Sequence, residues 1–178
     1  MEVADDRSSL LNSQRLFGDE VFEAFPSAEL DIQEAANCLA CECSTAAVFH
    51  LMRASEFALR ALARDRTIEF ADKPLDHKEW GQILPKLDAV VRDLRERTPS
   101  DAWPDPYIRE QQISFYYEVV HQFRAFNEIW RRHVSHADPS AFYSRGHAKD
   151  VFDFVKNFMQ KLSTRIAETK TTETYWKV

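Results

Sequence analysis

Apolar residues recur at three- and four-residue spacing in several stretches, the period of one face of an α-helix. From Ser27, read as an N-cap, residues 28–42 continue helically, and after Ser44 and Thr45 the positions Val48, Leu51, Met52, Phe57, Leu59 and Leu62 keep the same rhythm. One long helix, or two with a bend near Ser44, accounts for the pattern. Residues 67–76 read as a loop, and Asp76-His-Lys-Glu79 has capping-box spacing ahead of a second long helix. Its stripe is Trp80, Ile83, Leu84, Leu87, Val90, Val91 and Leu94, with Pro85 a place for a kink.

Three prolines between Pro99 and Pro106 mark a connection, after which Asp105 followed by Pro106 forms a helix start. That third helix runs to about Trp130 with a broad face of Ile113, Tyr116, Tyr117, Val120, Phe123, Phe126, Asn127 and Trp130. Asp138, Pro139 and Gly146 interrupt the rhythm, and a last helix spans about residues 147–167. The pattern predicts an all-α fold, an antiparallel bundle of four or five helices. Residues 1–26 form a partly ordered lead-in, 27–168 the bundle and 169–178 a frayed tail.

Composition narrows this picture. At 178 residues and 44% hydrophobic content the chain suits one core, and its three glycines disfavour a sheet fold rich in tight turns. A formal charge of −6 argues against a protein whose whole surface grips nucleic acid, so any such contact is local. There is no leader-like N-terminus and no run of roughly 20 apolar residues, so a cytoplasmic protein without a membrane anchor is expected. Cys38, Cys41 and Cys43 are read as reduced helix-packing residues rather than a metal or redox site, because the single CxxC has no second Cys pair. No metal and no cofactor are expected.

Chemistry concentrates in Trp130-Arg-Arg-His-Val-Ser-His136, where the third helix gives way to a loop. Arg131 supplies a fixed cationic fork for phosphate oxygens, and His136 titrates near neutral pH. Together they are a minimal kit for cleaving RNA: the His deprotonates a 2′-hydroxyl or protonates the leaving 5′-oxygen, and the Arg stabilises charge on the phosphoryl oxygens. One His cannot readily be acid and base at once, which favours two protomers facing each other. The simpler alternative is a solvated helix C-terminus whose cations offset the helix dipole. Arg132, Tyr143, His50 and Arg53 are further candidates for contacting the ligand. His50 also reads as a hydrogen-bonded core residue, and Glu56 as an intrahelical partner of Arg53 or Arg60.

This segment, with Tyr143 and the helix Ala148-Lys-Asp-Val-Phe-Asp-Phe-Val-Lys-Asn-Phe-Met159, resembles the HEPN superfamily, whose signature is an Arg, four to six residues, then a His. Glu34-Ala-Ala-Asn-Cys-Leu-Ala40 and Thr45-Ala-Ala-Val-Phe-His-Leu-Met-Arg53 are similar to the first helices of an uncharacterised bacterial HEPN-like group. The resemblance runs from about Phe25 to Ile166. It implies a homodimeric helical bundle and metal-independent endoribonuclease activity of a toxin or defence type, with Arg131 and His136 catalytic. An antitoxin or other protein partner belongs to the same expectation. Arg132 stands where the family usually has Asn, Asp or His, and with it goes the alternative of a non-catalytic nucleotide-binding, RNA-binding or protein-interaction module.

Overall fold

A computed structural model describes residues 10–11, 14–96, 105–131 and 143–169, with Arg131 described through its backbone alone. Six α-helices account for most of them: α1 (Asp19–Ala24), α2 (Glu29–Ala40), α3 (Ser44–Asp65), α4 (Trp80–Glu96), α5 (Pro106–Phe126) and α6 (Arg145–Ser163). The fold is all-α, as the periodicity predicts, and no helix among the described residues is long and apolar enough to cross a membrane.

The stretch over 28–63 is two helices, for a local reason. Glu42 takes φ 61°, the left-handed conformation that closes a Schellman motif. The amide of Cys43 then donates to the Cys38 carbonyl at 2.8 Å and that of Glu42 to Leu39 at 3.2 Å, ending α2. α3 ends in the same way: Thr67, at φ 51°, donates to Arg64 and Ile68 to Ala63, each at 2.9 Å. Ile68 is buried beyond this turn, the apolar contact that accompanies such a cap.

Two sequence-level caps are replaced. Asp76 lies in a short 3₁₀ turn, Leu75–His77, with its carboxylate on Arg64, and the helix starts later at Trp80. There the Gln82 side chain reaches back to accept from the Glu79 amide at 3.3 Å, the half of a capping box that the third helical residue supplies. Ser27 sits in the 3₁₀ turn Pro26–Ala28, and its hydroxyl donates to Glu168 at 2.8 Å instead of capping α2. The Glu168 amide in turn donates to the Ala24 carbonyl at 2.9 Å, tying the two ends of the described bundle together. Asp105 does cap α5, accepting from the Tyr107 amide at 2.8 Å, and Ser144 caps α6 through His147.

α2 folds back on α3, which also carries α6, while α4 and α5 form a second hairpin. Trp80, fully buried, joins the pairs: its ring meets Phe123 edge-on at 5.6 Å and stacks on Phe126 at 5.8 Å, and its indole N–H donates to Glu56 of α3 at 3.3 Å. Glu56 also accepts from Arg60, so the intrahelical partner expected from sequence is Arg60. Phe17, Val21 and Phe25, ahead of α2, belong to the same core. Gly18 caps α1 at φ 95°, a conformation closed to residues with a Cβ, and so turns the chain between Phe17 and Val21.

Thr67→Gly is expected to stabilise the protein by up to about 1 kcal/mol, since it removes a β-branched side chain from a left-handed position. Urea denaturation measures this, and unchanged or lower stability contradicts it. Phe17→Ala is expected to cost about 3–5 kcal/mol in the same assay. A loss below about 1 kcal/mol would mean that residues 14–25 fold separately from the core.

Candidate functional site

Two of the sequence-derived candidates meet on one carboxylate. Asp31, on α2, is only 5% exposed, and its side chain lies between two residues of α3. His50 Nδ1 is 2.8 Å from Asp31 Oδ1, and Arg53 Nε donates to Asp31 Oδ2 at 3.2 Å. An ionised carboxylate only accepts, so it fixes the Nδ1–H form of the imidazole and leaves Nε2 as the available acceptor. Phe49 stands edge-on to the ring at 6.0 Å. His50 is thus oriented as well as partly accessible, and Arg53 keeps more than half of its side chain in solvent.

Asp31 did not stand out in the sequence. A signal was available: it lies on the turn that also presents Ile32, Ala35 and Leu39 to the core, a costly place for a carboxylate without partners. The partners lie nineteen and twenty-two residues away and come together only when α2 folds back on α3.

The second element of the site is the end of α5. Phe126 is followed by a π-helical turn, Asn127–Arg131, which packs on α3. Such turns widen the helix by one residue and are found disproportionately at functional sites. Asn127 opens this one with Oδ1 buried and lacking a hydrogen-bond partner among the described residues. Trp130 packs on Phe126 and Phe154 at 5.4 and 4.9 Å. Its carbonyl accepts from the Tyr143 hydroxyl at 3.0 Å. Burial pushes the Tyr143 phenol pKa up, so the group keeps its proton and remains a donor.

Register relates the two elements. Tyr116 of α5 donates to Asp65, the last residue of α3, at 2.6 Å. Arg131 is fifteen residues further along, about 22 Å at 1.5 Å per residue. The π turn also touches α3, so α5 and its continuation meet that helix at two places. Arg132 and His136 fall outside the described residues, as does the Arg131 side chain, so His50, Arg53 and Tyr143 are the candidates with side-chain geometry.

The three cysteines lie at the turn between α2 and α3 as free thiols, Cys38 half-buried and Cys41 and Cys43 exposed. Burial first, then Cys43 and Glu34, pushes the Cys38 pKa up and away from the reactive thiolate.

Replacing Asp31 with Ala is expected to release the imidazole and shift neutral His50 toward the Nε2–H tautomer, read by long-range ¹H–¹⁵N spectra of the ring nitrogens. The variant should also lose about 1–3 kcal/mol, the range for breaking a buried hydrogen-bonded pair. An unchanged tautomer would show that Asp31 does not orient His50. The chain matches no family model, no curated protein and no solved structure.

Proposed function

We propose that this chain is a HEPN-like domain that cleaves RNA without a metal ion, acting as a homodimer in which Arg131 and His136 form the reactive pair. One observation carries the reading most directly. The Arg131 backbone belongs to a π turn in which the Trp130 carbonyl accepts from Tyr143, so the residues on either side of the segment that contains His136 are tied to each other. Loops tied in this way hold polar side chains at a fixed place while leaving room for a ligand.

In the proposed reaction His136 takes the proton of a ribose 2′-hydroxyl. The 2′-oxygen then bonds to phosphorus, the bond to the 5′-oxygen breaks, and that oxygen leaves with a proton from the partner protomer's copy of the same His. Arg131 offsets the charge that grows on the non-bridging oxygens. His50, with Nε2 directed away from Asp31, and Arg53 contact the substrate, and Tyr143 supports the loop. Activity of a toxin or defence type, with a protein antidote as partner, follows from the same resemblance, and a cytoplasmic setting is part of the proposal.

A second reading is a non-catalytic RNA-binding, nucleotide-binding or protein-interaction module. Arg132, immediately after Arg131, and the net charge of −6 favour it.

Purified protein incubated with RNA in excess chelator is expected to cleave it. His136→Ala should lower the rate by about 10²–10⁴, the range for a lost general acid or base. Equal cleavage by wild type and His136→Ala would sink the nuclease proposal. Binding without turnover, lost in Arg131→Ala at unchanged melting temperature, would establish the module instead.

A further inference from the structure

Away from the π turn, α4 and α5 leave an open groove of about 450 Å³ between them. Its floor is apolar, Val91 and Val120, and its walls carry Arg92 and Arg95 from α4 and Tyr117, His121 and Arg124 from α5. Tyr117 is 58% exposed, although its place on the aromatic face of α5 predicts a core residue. Its ring stacks on His121, one turn along, at 6.4 Å and 24°. A large exposed ring aligned with a neighbouring ring is a platform for a further ring.

The charges around this platform differ from the surface as a whole. Two carboxylates line the groove, Asp88 and Glu96, and Asp88 is engaged by Arg124. Arg92 and Arg95 are exposed and form no ion pair among the described residues. One helical turn apart on the same wall, they present two cationic forks on a protein that is acidic overall. An apolar floor, a stacking platform and paired arginines match a base and its flanking phosphates better than they match an apolar helix, which would leave both arginines unused.

We propose that the α4–α5 groove binds single-stranded RNA, with one base stacked on Tyr117 and phosphates on Arg92 and Arg95. This rests on the RNA reading above and extends it: the groove holds the strand outside the reacting centre. Arg124 is seven residues from Arg131 along α5, about 10 Å of helix, so a strand in the groove runs toward the π turn.

The test is fluorescence anisotropy with a fluorescein-labelled oligouridylate, carried out in the His136→Ala background so that the strand stays intact. Arg92→Ala/Arg95→Ala is expected to weaken binding at least tenfold and to lower the salt dependence by about 1.4 log units of affinity per log unit of salt, roughly 0.7 for each lost phosphate contact on a single strand. Tyr117→Ala is expected to weaken it by about fivefold or more, from the loss of one stacked base. All three side chains are exposed, so melting temperatures should not change. Binding indifferent to both variants overturns the groove, and if wild type still cleaves RNA the nuclease proposal stands without it. Groove-dependent binding with no cleavage by wild type retires the nuclease and keeps the groove. Equal displacement of the strand by oligoglutamate would overturn the assignment to RNA.

Discussion

Close approach to α3 is the constraint on which the structure depends. Ala47, Ala54, Ala58, Ala61 and Ala63 are all fully buried along this helix, interleaved with Val48, Leu51, Leu59 and Leu62. Small side chains on several sides let α2 and α6 pack onto one helix, and the larger aromatics fill the space beyond it. Burial on that scale makes an unpaired polar group costly, and two polar side chains buried on α3 are engaged. Ser55 donates to the Leu51 carbonyl one turn back at 2.9 Å, and Asp65 is held by the Tyr116 hydroxyl and by Arg66 at 2.9 Å.

The two ends of α3 consequently differ in what they can do. At the C-terminal end Arg66 lies 4.3 Å over the Tyr116 ring while pairing with Asp65, and the cap at Thr67 seals the turn. Asp65, Arg66 and Tyr116 are thereby committed to one another. Toward the N-terminal end His50 and Arg53 share one carboxylate and remain partly in solvent.

On a chain of net charge −6, cations that could attract an anion must be gathered locally, since long-range repulsion opposes association. One such gathering is the groove with Arg92, Arg95 and Arg124; another, in sequence, begins at Arg131. α5 is packed through Phe123 and Phe126 against Trp80, Phe154 and Phe158.

Helical periodicity, the Asp105–Pro106 start and the apolar stripes of α4 and α6 were decided by local sequence, because spacing and caps act within a few residues. The break at Glu42 was legible only as a choice between one helix and two: a left-handed residue without glycine leaves no compositional mark. Tyr117 read as core because spacing gives the face of a helix but not how far the neighbouring helix covers it. Arg131 and His136 are read from spacing and resemblance, whereas the Asp31–His50–Arg53 cluster, the Ser27–Glu168 tie and the groove join residues that the chain separates. Those required tertiary structure for a physical reason: hydrogen bonds and ion pairs act over a few ångströms, and only the folding of α2 on α3, of α6 toward α1, and of α4 on α5 brings their partners within that range.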